Sequence, residues 1–180
     1  PQHEWTQLQA LAMSSGKNVW NSKCGVNMGN AVLPQRLNDG RRVAVVGRGG
    51  GHGPPEKPEG ISLIDLTEGN TLWTLPLSGF MSTMSYRVRN DEVHIFHSGE
   101  HISIDAITAK VLRRVSIVGD ISVRKWAGDR YVCSVETLNA SKKSRMITQT
   151  SNLLVGNYHY FRGYTRPWLG RVNVTNGNVE

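Results

Sequence analysis

Short runs of β-prone residues alternate with turn residues along the chain, and apolar positions recur at every second residue rather than at helical spacing. The clearest stretch is residues 60–73, GISLIDLTEGNTLW, where Ile61 and Leu63 fall on a two-residue period. Residues 67–70 supply a turn with a glycine that can take a positive φ, and residues 71–73 resume an extended run. The pattern predicts a strand, a turn and a second strand.

The same hairpin pattern recurs in three other places. Together with residues 60–73, the copies are residues 8–20, 101–113 and 169–180, which align on Gly16, Gly69, Ala109 and Gly177. The shortest interval between copies is close to the roughly 40–50 residues of one propeller blade, and the longer two require insertions. The chain is therefore predicted to be a repeat protein.

The segments between the copies hold the further strands that a four-stranded unit needs. Residues 42–46 are a predicted strand. Residues 84–88 and 93–97 are predicted to form a meander around a turn at residues 89–92, and residues 121–126 and 131–135 are predicted to repeat it. Residues 153–160 are a further predicted strand. The two predicted insertions are a Gly- and Pro-rich loop at residues 48–60 and an aromatic, basic loop at residues 161–167.

These elements predict an all-β fold, a β-propeller segment of four-stranded antiparallel blades. About three blades and a half would form a single partial domain over residues 1–180. A β-sandwich explains the alternation equally well, but it does not explain four related hairpins with the same turn chemistry. The chain starts at Pro1 and stops within a copy, so we expect it to be part of a longer protein.

The composition is that of a globular domain, with 180 residues, 38% of them hydrophobic, and a net charge of +7. No apolar run approaches the roughly 18 residues of a membrane-spanning helix. Cys24 and Cys133 are far apart, and the sequence leaves open whether they are buried thiols or a disulfide. The positive charge suits an anionic polymer, but Lys and Arg are spread along the chain and nucleic acid is not the expected partner.

Histidines are concentrated in one predicted hairpin. His94 and His97 have opposite parity on a strand and should face different sides, whereas His97 and His101 are expected to converge across the intervening turn. A metal ion would need a third ligand, for which His52 or His159 are the candidates. Exposed turn histidines are the simpler interpretation.

The richest candidate for ligand contact is residues 157–168, NYHYFRGYTRPW, where aromatic residues alternate with arginines. Such residues stack on sugar rings or bases and bind carboxylate or phosphate groups. Three glycines precede His52 in the other insertion, but no phosphate-loop ending follows. We assign no catalytic residue and no metal site; the candidate ligand-binding residues are His52, His97, His101, His159, Arg162, Arg166 and Trp168.

The hairpin copies resemble the repeat of PQQ-like, quinoprotein-type β-propellers, which is a hydrophobic strand, a D-x-x-T-G-K turn and a strand ending in Trp. The copy at residues 60–73 matches through Asp65, Gly69 and Trp73, and the copy at residues 8–20 matches through Gly16 and Trp20. The third copy has an alanine for the glycine and an arginine for the Trp, and the last copy has an asparagine for the aspartate.

The resemblance implies a ring of about six to eight blades, so that the missing blades belong to the same longer chain. Quinoprotein enzymes carry an adjacent cysteine pair, a calcium site and a catalytic aspartate, and no residue here matches those roles. We therefore expect a non-catalytic binding or assembly scaffold without PQQ or calcium, in a bacterial periplasmic or secreted location, with a protein or saccharide ligand. The alternatives are a quinone-dependent oxidoreductase, a carbohydrate-active enzyme and an anionic-polymer binder.

Overall fold

The structure, a computed structural model, describes residues 8–24, 32–49, 56–78, 86–97, 99–117, 119–138, 153–162 and 169–180, with the backbone alone for residues 119–127 and 130–138. Its regular elements are all strands, and the described part contains no helix. Hence no described segment forms a helix able to cross a membrane. The predicted all-β class with four-stranded antiparallel sheets is confirmed.

The chain divides into two compact units, of which the first comprises Pro1–Val93 with Asp105–Lys110 and the second His94–Ile104 with Val111–Glu180. The first six strands are β1 (Gln9–Leu11), β2 (Asn18–Asn21), β3 (Gln35–Arg36), β4 (Arg42–Arg48), β5 (Gly60–Asp65) and β6 (Thr71–Pro76). β1 pairs with β2, and β3 to β6 form one sheet in sequence order. This up-and-down order is that of a propeller blade.

The centre of the β3–β6 sheet is buried on both faces. Residues 43–46 of β4 are at most 3% exposed, and Ile61, Leu63 and Ile64 of β5 are fully buried. A strand covered on both faces reads as a continuous apolar run rather than as an alternating one. The predicted strand at residues 42–46 is therefore confirmed.

A second four-stranded sheet has the order β10-β9-β8-β7. Its strands are β7 (Arg87–Arg89), β8 (Glu92–His97), β9 (Glu100–Asp105) and β10 (Val111–Ser116). The two central strands are buried apart from their end residues, whereas β10 alternates between exposed and partly buried positions. β10 therefore shows the two-residue period of an edge strand, with one face solvated.

The remaining strands belong to the second unit, and they are β11 (Gly119–Ala127), β12 (Arg130–Leu138), β13 (Leu153–Val155), β14 (Tyr158–Arg162) and β15 (Leu169–Asn173). β11 and β12 form a sheet of two strands, and β13-β14-β15 form a sheet of three. A bridge between Val172 and Val179 brings the end of the chain beside β15.

Two expectations for this unit are wrong. Residues 153–160 are not one strand, because Gly156, with φ +55°, forms a turn between β13 and β14. Residues 161–167 are not a loop throughout, since Phe161 and Arg162 end β14; residues 163–168 lie outside the described residues. Alternating burial along β14 identifies it as a strand, and its aromatic and basic composition had concealed that period.

Four turns, one in each hairpin copy, have the same backbone geometry. In each, the residue at the aligned position has a positive φ and donates its N–H to the carbonyl four residues earlier. These aligned residues are Gly16 (φ +66°), Gly69 (φ +77°), Ala109 (φ +61°) and Gly177 (φ +83°). Asp65, Asp105 and Asn173 add a side-chain oxygen that accepts N–H groups from the turn, which explains the acidic or amide residue of the repeat.

Each of the last three turns receives a hydrogen bond from the end of the preceding copy. Trp20 Nε1 donates to the Leu66 carbonyl at 3.2 Å, and Trp73 Nε1 donates to the Ala106 carbonyl at 2.7 Å. In the third case Arg113 Nη2 donates to the carbonyl of the equivalent residue, Val174, at 2.9 Å. Arginine thus keeps the N–H donor that Trp supplies elsewhere, which explains the departure of the third copy from the repeat.

Cys24 is a buried free thiol in the core of the first unit, where it packs with Val46 and Ile64. Its Sγ lies 3.1 Å from Thr71 Oγ1. The sequence left open whether Cys24 is a thiol or part of a disulfide, and the structure shows a thiol. The side chain of Cys133 lies outside the described part of the structure.

Candidate functional site

Three histidines of the second unit form a buried cluster. His94, His101 and His159 are at most 2% exposed. The His101 and His94 rings stack at 5.5 Å between centroids, and the His159 ring lies edge-on to His101 at 5.2 Å. Phe96 covers the cluster, with its ring centroid 4.3 Å from that of His159. The cluster is therefore part of the packed interior.

Hydrogen bonds fix the orientation of these rings. His101 Nε2 lies 3.1 Å from His159 Nδ1, and Ser103 Oγ lies 3.2 Å from His94 Nδ1. In the contact between His101 Nε2 and His159 Nδ1, one nitrogen must carry a proton and the other must accept the hydrogen bond. The contact therefore couples the tautomers of the two rings. The pair thus links β9 to β14 through a polar contact.

Burial keeps His101 in its neutral form. Loss of hydration, together with the smaller effects of the nearby charges of His94 and Arg113, lowers the pKa of His101 to about 3. A neutral imidazole offers one donor and one acceptor, as the bond to His159 requires. With its surface buried, the cluster is suited to packing rather than to proton exchange with a substrate.

The structure brings together two of the predicted ligand-binding residues, His101 and His159, but not His97 with His101. His101 shares a face with His94 and Phe96, and residues of opposite parity on β8 face the other way. His97 is partly buried. Within the described ranges, no group of three or more His, Cys, Asp or Glu residues is placed to hold a metal ion.

The predicted insertion at residues 48–60 is anchored at its base. Arg48 Nη1 forms an ion pair with Glu56 at 3.1 Å, and Arg48 also donates to the carbonyls of Lys57 and Pro58. Arg48 is 8% exposed, so its guanidinium serves the loop rather than a ligand. His52, in the centre of this insertion, and Arg166 and Trp168 lie outside the described residues.

The two faces of the β13–β15 sheet differ in burial. Leu153 is 51% exposed, Val155 is 53% exposed and Leu169 is 64% exposed. Leu153 pairs with Tyr160, Val155 with Tyr158, and Leu169 with Arg162. Directly paired residues point to the same face of a sheet, so aromatic, aliphatic and arginine side chains share this face. The exposed Arg162 is the predicted ligand-binding residue that lies here.

Arg171 is held in place on the same face. Its guanidinium carbon lies 4.1 Å from the centre of the Tyr158 ring, and its Nε donates to Glu180 at 2.8 Å. Hydrogen bonding with Tyr160, followed by that with Glu180, raises the pKa of Arg171. The Tyr158 and Tyr160 rings lie 6.4 Å apart. The sheet therefore presents a pre-ordered aromatic and cationic group beside exposed aliphatic residues.

No family model and no curated protein matches this chain. Among solved structures, the chain is similar to the crystal structure of BamB from Moraxella catarrhalis, with 14% sequence identity and a TM-score of 0.43. The match covers 91% of this chain and 52% of that one, so the chain spans about half the length of BamB. The similarity concerns the backbone arrangement alone.

Proposed function

We propose that the protein is a non-catalytic binding and assembly scaffold built from propeller-type blades, and that the exposed face of β13–β15 binds a protein partner. The observation that carries the proposal is the exposure of Leu153, Val155 and Leu169 on one sheet face. Contiguous exposed apolar side chains rimmed by polar groups are typical of interaction sites.

The composition of this face favours a protein over a saccharide. Aliphatic side chains need an apolar partner surface, whereas tyrosine and arginine supply the anchors that dominate protein interfaces. Arg171 is already fixed by Tyr158 and Glu180, so little side-chain entropy is lost when a partner contacts it. Arg162 lies beside Leu169 and extends the cationic rim.

The polar clusters of the described residues serve structural roles. The histidine pair of β9 and β14 is buried, and burial holds His101 neutral. Arg48 is committed to Glu56 and to two backbone carbonyls. These contacts favour the scaffold over the enzyme alternatives, because a catalytic acid or base must reach its substrate.

The proposal is tested with the double variant Leu153→Asp and Leu169→Asp. The matched control is Leu112→Asp, which changes a leucine 48% exposed on β10 of the same unit. Proteins that co-isolate with the wild-type chain are identified, purified and recombined with each variant. We expect the double variant to bind at least about tenfold more weakly and the control to bind as the wild type does.

Equal binding by the double variant and the wild type would contradict the proposal. A second arm addresses the enzyme alternative: the protein is mixed with calcium and the quinone, and its absorption spectrum is recorded. The scaffold proposal predicts no bound chromophore. A stoichiometric chromophore would favour the quinone-dependent oxidoreductase instead.

The quinoprotein-type repeat and the extracytoplasmic location belong to the same proposal. The turn geometry at Asp65, Asp105 and Asn173 supports the repeat, because each side chain caps its own turn as the repeat pattern requires. The location is inferred from that resemblance, and fractionation of cells that express the full reading frame tests it. Recovery in the cytoplasmic fraction would contradict the location but not the binding surface.

A further inference from the structure

The positive charge of the chain is concentrated towards its end. Residues 139–180 contain six Lys or Arg residues and one acidic residue, Glu180, so they carry five of the seven net positive charges of the chain. The strands β13, β14 and β15 belong to this stretch. Such a charge asymmetry favours a partner of opposite charge and steers its approach.

Two arginines of this stretch share the exposed face of the β13–β15 sheet. Arg162 ends β14 and pairs with Leu169, and Arg171 pairs with Tyr160, two residues before Arg162. Side chains two positions apart on a strand, or paired across it, point to the same face. Glu180, which pairs with Arg171, is the one acidic side chain on this face among the residues that the structure describes. The described part of the face therefore has an excess of positive charge.

Arg171 shows how this face holds a carboxylate. Its guanidinium lies over the Tyr158 ring, and its Nε and Nη2 both donate to the Glu180 carboxylate. Arg162 is exposed, and no described carboxylate forms an ion pair with it. A guanidinium binds a carboxylate through paired N–H donors. Arg162 is therefore the cation of this face that the carboxylate of a partner can reach.

Building on the proposed function, we propose that the protein partner of the exposed β13–β15 face presents an extended acidic segment. An Asp or Glu side chain of that segment pairs with Arg162, and an aliphatic side chain two positions away packs on Leu169. Side chains i and i+2 of an extended segment lie about 6.6 Å apart on one side, and the Cβ atoms of a directly opposed pair such as Arg162 and Leu169 lie about 5 Å apart, so the spacing fits.

Exposed aliphatic side chains favour an acidic protein segment over a polyanion. Leu153, Val155 and Leu169 are all more than half exposed on the face that carries Arg162. A polysaccharide or nucleic acid backbone supplies the negative charge but no aliphatic side chain to cover them. A protein segment supplies both.

The test uses a labelled synthetic peptide, acetyl-Leu-Thr-Glu-Thr-Leu-Thr-Glu-Thr-amide, and the full chain. The leucines and glutamates of the peptide share one side when it is extended, and a control peptide has Gln in place of each Glu. We expect the Glu peptide to bind about fivefold more tightly in fluorescence anisotropy at low salt, and the difference to shrink at about 0.5 M salt. Equal affinity of the two peptides, or binding of neither, would overturn the proposal.

The variant Arg162→Gln locates the charge on the chain, with Arg42→Gln as the matched control. Arg42 is an exposed arginine at the first position of β4, so the control removes the same net charge from another sheet. We expect Arg162→Gln to weaken binding of the Glu peptide about three- to fivefold and to leave the Gln peptide unchanged. Equal losses in the two variants would mean that net charge alone attracts the peptide, which would overturn the proposal.

The variant Arg162→Lys tests the contact itself. It keeps the charge and adds an amine that a carbodiimide couples to a carboxylate in direct contact. We expect a covalent link between position 162 and a Glu of the peptide, identified by mass spectrometry of the digested product. Retained binding without this link would contradict the pairing. If one variant fails to fold, the comparison of the two peptides on the wild-type chain still decides.

Failure of this inference and failure of the proposed function give different results. If Leu153→Asp with Leu169→Asp abolishes binding of both peptides and Arg162→Gln affects neither, the face binds a partner without a carboxylate, and this inference alone is overturned. If Leu169→Ala leaves binding of the Glu peptide unchanged and a heparin fragment displaces that peptide, charge alone is recognised and an anionic polymer replaces the acidic segment. Unchanged binding of the co-isolated protein by the double variant contradicts the proposed function itself.

Discussion

One face of the β13–β15 sheet is buried and the other is exposed, although the same three strands supply both. The buried face presents His159, Phe161 and Val172, each with no exposed surface. The other face presents Leu153 and Leu169, which are more than half exposed. Both faces are rich in large side chains, so hydrophobicity alone does not separate packing from binding.

The difference lies in what each side chain contacts. On the buried face the ring centroids of Phe96 and Phe161 lie 5.4 Å apart, and the Phe96 ring also contacts His159. On the exposed face the polar groups are ordered by local contacts, such as that of Arg171 with Tyr158. Substitutions on the buried face should therefore lower the free energy of unfolding, and substitutions on the exposed face should weaken partner binding.

The largest effect is expected for Phe161→Ala on the buried face. Phe161 is fully buried and packs on Phe96, so its removal leaves a cavity. We expect the free energy of unfolding to fall by about 3–5 kcal/mol. Urea denaturation followed by circular dichroism measures the loss, and a loss below about 1 kcal/mol would contradict the assignment of this face to the core.

A smaller loss is expected for Gly170→Ala on the same face. A Cβ on Gly170 would lie 2.4 Å from Phe161 Cζ, so the ring must move. Such overpacking costs about 1–3 kcal/mol of unfolding free energy. Because the clash is with the ring, Phe161→Leu combined with Gly170→Ala should lose less than the two single losses together, and strict additivity would show that the two residues do not meet.

Acid should weaken the buried face through His101. The pKa of His101 is about 3 in the folded protein and 6.5 in the unfolded chain. Below pH 6.5 the unfolded chain therefore binds a proton that the folded chain does not bind. Stability from this group is therefore complete above pH 6.5 and is lost as the pH falls, by about 2 kcal/mol between pH 8 and pH 5.

The variant His101→Phe isolates this effect, because it keeps a ring of similar size without a titrating group. We expect the variant to show a smaller loss of unfolding free energy than the wild type between pH 8 and pH 5, measured by urea denaturation at both pH values. An unchanged pH dependence would show that His101 is not the group responsible.

The smallest effect on stability is expected on the exposed face. Leu153→Ala removes a side chain that is 51% exposed and should change the free energy of unfolding by about 0.5 kcal/mol or less. The same urea denaturation measures it. A loss as large as that of Phe161→Ala would mean that this face is also packed, and the contrast between the faces would fail.

Much of the repeat could be predicted from the sequence because turns are local. The glycines at positions 16, 69 and 177, and Ala109, all adopt the positive φ on which the copies were aligned. The hydrogen bond of Arg113 to Val174, in contrast, was not foreseen. That contact joins residues far apart in sequence, and a single sequence does not show which strand end meets which turn.

The histidine cluster was only half predictable. Alternation separates His94 from His97, as expected, but the partner of His101 depends on the register of β8 and β9. β8 ends at His97 and β9 begins at Glu100. Pairing of these two residues places His101 near His94 and Phe96, and the spacing that favours this register was present in the sequence. The contact of His101 with His159 was not, because the two residues lie 58 positions apart and a single sequence does not show which strands pack together.

Hydroxyl-radical footprinting of the chain in its native cells and as purified protein tests the central claim most directly. We predict that Leu153 and Leu169 are oxidised in the purified protein and protected in the cell, while Phe161 is unreactive in both. Leu112, which is 48% exposed, should react equally in both and serves as the control. Equal oxidation of Leu153 and Leu169 in the cell and in the purified protein would contradict a bound partner on this face.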